Sequence, residues 1–308
     1  MILCCGEALI DMIPTPTSTG RDGFVPHPGG AVFNTAIALG RLGVQTGLLS
    51  GLSSDMFGQQ LTEALRASHV DTSHIIVSDR PTTLAFVRLQ DGHATYSFFD
   101  ENSAGRILGP DDLPQVSADV SSLYFGGISL ASEPCADTYA ALLATEGKNR
   151  AVMMDPNIRP QFIRNIDTYR ARLDRMMAMT DIVKVSDEDL NWMFPSPLSL
   201  TEKVNAVLDI GPSLVILTRG GEGATGFMAD GTEVSVPAKR VEIVDTVGAG
   251  DTFNAGVLAK LYELGALQKS RLATLSADDL AQALTHGARV AAVTVSRAGA
   301  NPPWSAEL

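Results

Sequence analysis

Short apolar runs alternate with stretches of helical period along most of this chain. Residues 2–9 form an apolar run with the length of a buried strand. Residues 31–42 then space Ile37, Leu39 and Leu42 among alanines at a helical period. Residues 45–49 read as a strand and 57–67 as a helix. Four further apolar runs, 122–125, 151–154, 182–185 and 214–217, read as strands, and the first three precede helix candidates at 135–145, 169–179 and 187–193. Strand–helix alternation of this kind implies right-handed crossovers and a mostly parallel, doubly wound α/β sheet. From Thr246 onward helices dominate, at 252–264 and 280–293.

Two stretches break the rhythm. Residues 82–89 and 94–99 are β-rich and flank Asp91-Gly92, a turn signal. Phe24 and Val25 read as a third strand, after a loop rich in Thr, Pro and Gly. The pattern predicts a small β-sheet, from about 12–28 and 80–101, projecting from one domain that spans residues 1–308.

Composition narrows the class. Hydrophobic residues make up 45% of the 308 positions and charged ones 19%, which excludes a disordered chain. Lys and Arg number 23 against 35 acids, a net charge of -12 that disfavours nucleic acid or anionic membrane as a partner. A phosphate-bearing substrate would therefore need a local anion-binding device. No stretch reaches the ~18 apolar residues of a membrane span, and the first residues lack the basic region of a secretion signal. Cys4, Cys5 and Cys135 are odd in number and form no CxxC, which excludes a disulfide scaffold or zinc ribbon and fits a reducing cytoplasm.

Familiar phosphate and hydrolase motifs are missing. There is no GxxxxGK[ST], GxSxG or HExxH. One GxGxxG occurs at 221–226, but Phe227, Met228 and a turn signal at Asp230-Gly231 follow it, so a hairpin is expected there. The five histidines have no metal-ligand spacing.

Two stretches carry candidate chemistry. In PGGAVFNTAIALGRLG, residues 28–43, Gly29 and Gly30 can bring backbone N–H groups close to a ligand, and Asn34 offers an amide to a polyhydroxylated one. A tight turn before a close-packed helix accounts for this stretch equally well. In DTVGAGDTFNAG, residues 245–256, Gly248, Ala249 and Gly250 precede a helix, an arrangement that binds anions through free N–H groups and the helix dipole. Asp251 beside them can accept a proton from an attacking hydroxyl, or serve only as an N-cap.

In this order and spacing the two stretches resemble the paired signatures of the ribokinase-like (PfkB) carbohydrate kinase family. Gly6, Asp11, DPNIR at 155–159 and TRGGEGA at 218–224 extend the resemblance along the chain. It implies the ribokinase-like α/β fold with a β-sheet lid, and ATP with Mg²⁺. It makes Asp251 the catalytic base and Gly248, Ala249 and Gly250 the anion hole. Asp11, Gly29, Gly30 and Asn34 become sugar ligands, and Tyr96 and Phe98, alternating on a lid strand, wall the sugar or pack under the lid. Asn157 and Arg159, at a strand's C-terminal end, and Lys184 meet substrate or phosphate. Thr218, Gly220 and Gly223 match the nucleotide-binding turn, with Asn254, Gly287 and Ala288 bordering the nucleotide. Asp245, Val247 and Gly299 match loops that hold a monovalent cation, usually potassium, although Pro303 replaces a typical serine.

Many family members carry N-x-x-E where this chain reads Ser186-Asp187-Glu188-Asp189. Either Asp189 takes the acid's role toward magnesium through water, or Ser186 and Asp189 form a capping box. The segments around 28–43, 98–106 and 155–160 look most like those of bacterial fructokinases. Asp100 stands where kinases of 2-keto-3-deoxygluconate carry a carboxylate-binding arginine, so a neutral sugar is expected unless Arg106 compensates. The resemblance thus implies phosphorylation of D-fructose to fructose 6-phosphate. It leaves a sugar-acid kinase, a ribose or nucleoside kinase and a catalytically silent sugar-binding regulator as alternatives. Pairing of exposed lid edges would give a homodimer.

Overall fold

The computed structural model describes residues 1–90 and 93–308, so the Asp91-Gly92 turn lies outside the described residues. In chain order the strands are β1 (Ile2–Cys5), β2 (Leu9–Pro16), β3 (Asp22–Gly29), β4 (Thr46–Ser53), β5 (Val70–Asp71), β6 (Ile75–Ser78), β7 (Leu84–Gln90), β8 (His93–Phe99), β9 (Ser122–Gly126), β10 (Ala151–Asp155), β11 (Ile182–Ser186), β12 (Leu214–Thr218), β13 (Ala224–Met228) and β14 (Glu233–Val236). The helices are α1 (Ala31–Arg41), α2 (Met56–Ala67), α3 (Cys135–Glu146), α4 (Ile166–Met177), α5 (Asp187–Met193), α6 (Leu200–Leu208), α7 (Ala249–Glu263), α8 (Lys269–Leu272) and α9 (Ala277–Val295).

The main sheet runs β14-β13-β12-β11-β10-β9-β1-β4-β5, with β6 also paired to β4. Every pairing is parallel except those of β13 with its two neighbours. The GxGxxG stretch is therefore a hairpin, as expected. Alternation along β1 sends Ile2 and Cys4 into one core and Leu3 and Cys5 into the other. Residues of α1, α2, α7 and α9 pack in the first core, and those of α3, α4, α5 and α6 in the second. From β1 the chain goes to β4 on one side, and from β9 it builds outward on the other. The C-terminal ends of β1 and β9 thus flank the switch point where doubly wound sheets hold ligands.

The small sheet has four strands in the order β3-β2-β7-β8, one more than the sequence pattern indicates. The run at 2–9 is not one strand. It leaves the main sheet after Cys5, where any side chain at Gly6 would strike Val32 and the Ser129 hydroxyl, and Leu9 starts β2. The Thr- and Pro-rich stretch after it is strand because its prolines sit where one neighbour suffices. β2 pairs β7 only through Ile10, Asp11 and Met12, so Pro14 and Pro16 face β3 alone. Pro26 and Pro28 lie on β3, an edge strand.

Helix starts differ according to their place. Side chains cap α2 (Asp55), α4 (Asn165), α5 (Ser186), α6 (Ser199) and α9 (Ser276). α1 and α7 start instead at Gly30 and Gly248, N-cap residues with no side chain to cap them. Their φ values of 108° and 75° are ones that only glycine adopts cheaply. α7 accordingly begins at Ala249, before the 252 expected from its apolar spacing. Among the described residues, no helix is long and apolar enough to cross a membrane.

Candidate active site

Thr218, the last residue of β12, and residues following β1, β9, β10 and β11, among them Glu7, Gly127, Asn157 and Asp189, line one cavity of ≈ 460 Å³. The small sheet covers it with Asp11, Tyr96 and Phe98, and α1 and the start of α7 form its wall. The two glycine stretches, more than 200 residues apart in sequence, thus meet.

Asp251 is the centre of that meeting. It is buried in the first turn of α7, three residues past the Gly248 N-cap, so its carboxylate is not a cap. Asn34 Nδ2 donates to its Oδ2 at 2.9 Å. Burial pushes the carboxyl up from its ordinary 3.8 to about 7, against the lowering effect of the Asn34 bond, while Asp155 adds a further rise. Ahead of it, Ala249 N reaches back to Thr246 O at 3.3 Å. Among the described residues, no acceptor is bonded to the N–H groups of Gly250 and Asp251, which leaves the start of α7 open to an anion.

Most of the residues expected to face a sugar come together. Asp11, Gly30, Asn34, Tyr96 and Phe98 all line the cavity. Gly29 does not: a Cβ there would overlap the Asp11 carboxylate, so its glycine makes room for Asp11. Burial raises the Asp11 carboxyl to about 6. Phe98 packs edge-on against Phe162 at 4.1 Å between ring centroids, closing the cavity beneath the small sheet. Asp100 does not face this cavity. It is buried in an ion pair with Arg106 at 2.8 Å, so the alternative in which Arg106 compensates its charge holds, and Asp100 gives no argument against a carboxylate substrate.

Sequence reasoning missed Glu7. Its Oε1 accepts from Ala31 N and its Oε2 from Ser129 N, both at 3.1 Å, so it caps α1 from a distance and ties it to the turn after β9. Burial raises its pKa, and the bonds from Ser129 and Ala31 oppose the rise. Its place just past a central strand was the one available signal. Glu188, Gln161 and Phe162 also line the cavity without having been singled out.

On the opposite wall Lys184 is buried with Nζ 3.0 Å from Asp155 Oδ2, and a Cβ on Gly250 would lie 3.3 Å from that ammonium. Burial lowers its pKa, but Asp155 and then Asp189 outweigh this and the net shift is upward, so it stays charged. Lys184 therefore stands beside the open start of α7. Asn157, at φ 42°, and Arg159 line the same cavity, and Arg159 Nη1 donates to Ile158 O. Ser186 and Asp189 form the capping box of α5, with Asp189 Oδ1 accepting from Ile158 N at 2.8 Å. Both still line the cavity. Among the described residues, no group of three or more His, Cys, Asp or Glu side chains could hold a metal by itself.

A second, more apolar cavity of ≈ 530 Å³ is lined by Thr218, Gly220, Gly223, Phe253 and Ala288, among others. It shares Thr218, Thr246, Ala249 and Gly250 with the first, so the two cavities meet at the start of α7. Asn254 and Gly287 line neither. Asn254 is buried and donates to Asp155 Oδ2 at 2.7 Å and to the Tyr124 hydroxyl at 3.0 Å, which fixes the carboxylate that holds Lys184. Gly287 is a contact between helices, where a Cβ on Gly256 would come 2.7 Å from its Cα. Asp245 joins the two expected cation loops, accepting from Val247 N at 3.0 Å and Gly299 N at 2.9 Å.

Residues 1–307 match the pfkB family carbohydrate kinase model. The chain is 50% identical over 291 residues to a fructokinase of Rhizobium leguminosarum bv. trifolii, covering 93% of this chain and 86% of that protein. Its fold matches the ATP-bound fructokinase of Xylella fastidiosa with a TM-score of 0.87 at 28% identity, over 97% of this chain and 93% of the other. A double mutant of the Vibrio cholerae O395 fructokinase, bound to fructose, ADP and potassium, matches with a TM-score of 0.84 at 25% identity, over 97% and 93%.

Proposed function

The chain belongs to the pfkB family of carbohydrate kinases and is a sugar phosphotransferase, and we propose that it transfers the γ-phosphoryl group of ATP to the primary 6-hydroxyl of D-fructose. The observation that carries this reading is the junction of the two cavities at Thr246–Gly250, with Asp251 beside it. One cavity is polar and roofed by Asp11, Tyr96 and Phe98, which suits a sugar, and the other is apolar and bordered by a glycine turn, which suits a nucleotide base.

In this reading Asp11, Gly30 and Asn34 orient the sugar. Asp251 takes the hydroxyl proton as the oxygen forms its bond to phosphorus and the bond to ADP breaks. The N–H groups at the start of α7, with Lys184 and Arg159, stabilise the charge on the transferred group. Magnesium bound with ATP neutralises charge on its phosphates. Asp189 and Glu188 are the cavity's carboxylates that would hold it, through water. The link from Asp245 to Val247 and Gly299 supports a potassium site between those loops. The small sheet acts as a lid that excludes water. Its exposed Phe24, Val25 and Phe99 support a lid-to-lid homodimer. A cytoplasmic location, with three buried free thiols, completes the proposal.

Fructose rests on the relatives, not on Asp100, whose charge Arg106 takes up. The test is an ATP-coupled assay over fructose, ribose, 2-keto-3-deoxygluconate, tagatose and adenosine. The highest kcat/KM should belong to fructose. A higher value for the sugar acid or for adenosine would overturn the substrate assignment, and binding without turnover of any would restore the silent regulator.

A further inference from the structure

The loop that opens α7 is held from behind by the C-terminal segment. Gly248 is the N-cap, at φ 75°, and a Cβ built on it would lie 2.6 Å from Ala300 Cβ, so Ala300 packs directly against it. Gly299 N donates to Asp245 Oδ2 at 2.9 Å, and Asn301 N donates to Gly299 O at 2.8 Å. A guanidinium ties this segment to the body of the protein. Arg41 Nη1 donates to Asn301 Oδ1 and to Pro302 O, both at 2.9 Å, and Nε donates to Ser68 Oγ at 3.2 Å. The guanidinium carbon also lies 5.4 Å from the centroid of the Trp304 ring.

Arg41 closes α1, the helix that carries Asn34. The two residues are seven apart, two turns along one face and roughly 10 Å in rise. α1 therefore bonds Asp251 near one end and the segment supporting Gly248 at the other.

We propose that Arg41 is a positioning residue for the phosphoryl-binding loop: it straps residues 299–304 beneath Gly248 and so sets the direction of the N–H groups that follow. The role of the loop rests on the kinase reading, whereas the strap itself does not. A rigid planar group that holds Asn301 and Pro302 through Nη1 and Ser68 through Nε, while facing an indole, is something lysine cannot reproduce.

The test combines hydrogen exchange with kinetics. In Arg41→Ala the hydrogen-bonded amides of the loop, those of Asp245, Val247, Ala249 and Thr252, exchange at least about tenfold faster than in the unaltered protein, while those of β1, β9 and β10 keep their protection. kcat falls about 10- to 100-fold with the fructose KM changed less than about threefold, as a misplaced transition-state contact requires. Free guanidinium at non-denaturing concentration restores part of the loss, and Arg41→Lys restores little. Asn301→Ala, at an exposed position, shows the same pattern in smaller measure. Unchanged exchange at these four amides in both variants overturns the proposal even if the protein phosphorylates nothing. So does a general loss of protection or of kcat that guanidinium does not relieve. Absence of turnover in the unaltered protein would instead count against the kinase reading alone.

Discussion

Removing the hydrogen bond from Asn34 to Asp251 should change the pH at which the enzyme works. The Asp251 carboxyl titrates at about 7 because it is buried, and Asn34 Nδ2 at 2.9 Å favours its charged form. Asn34→Leu keeps the volume and removes the donor. A hydrogen bond to a charged group is worth roughly 1.5–3 kcal/mol, and one pKa unit corresponds to about 1.4 kcal/mol, so the carboxyl rises by about one to two units. A general base acts when deprotonated, so kcat/KM rises with pH through this value. The rising limb therefore moves from near 7 to about 8–9. At pH 7 the ionised fraction falls from about one half to between about one tenth and one hundredth, a loss of roughly 5- to 50-fold that shrinks to no more than about twofold by pH 9. The assay is kcat/KM for fructose against pH at limiting ATP, with the loss of sugar contact appearing as a pH-independent factor. A limb that stays in place, with only that factor lost, would refute the link between the two residues.

The same geometry fixes three other outcomes. The folded-state pKa of Asp251 is raised, so its contribution to stability is full below about pH 4 and is lost as pH rises through 7. Asp251→Asn should therefore melt higher than the unaltered protein above pH 8, by up to roughly 4 kcal/mol of stability, and an equal or lower Tm would contradict the effect ascribed to burial. Gly29→Ala pushes a methyl into the Asp11 carboxylate, so the fructose KM should rise at least about tenfold with a smaller change in kcat; an unchanged KM removes Asp11 from the sugar site. Lys184→Met leaves Asp155 buried without its cation and should cost about 3–5 kcal/mol of stability together with at least about a hundredfold in kcat, checked by chemical denaturation and steady-state kinetics.

The sheet-forming runs at 122–125, 151–154, 182–185 and 214–217 were legible because a strand buried on both faces is a continuous apolar stretch, and each is a strand of the main sheet. The loop before α7 was legible because glycines beside an acid have few other uses. β2 was not, since its prolines read as loop until its partial pairing with β7 is known. Glu7 was hidden for a similar reason: its partners, Ala31 and Ser129, are 24 and 122 residues away. Asn254 lies on the expected helix, but only packing decides that it faces Asp155 and not the nucleotide cavity. At Asp100 the sequence offered two readings, a bare acid or one compensated by Arg106, and only the packing that pairs the two at 2.8 Å decides for the second.

If Asp251, at the junction of the two cavities, takes the proton from the sugar hydroxyl, then one substitution decides the matter. Steady-state kinetics of Asp251→Asn with fructose and Mg²⁺-ATP should show a kcat lower by about a thousandfold or more. The fructose KM should stay nearly unchanged, since the amide keeps the shape of the site but cannot accept the proton. A variant that retains its kcat would contradict the assignment of Asp251 as the base.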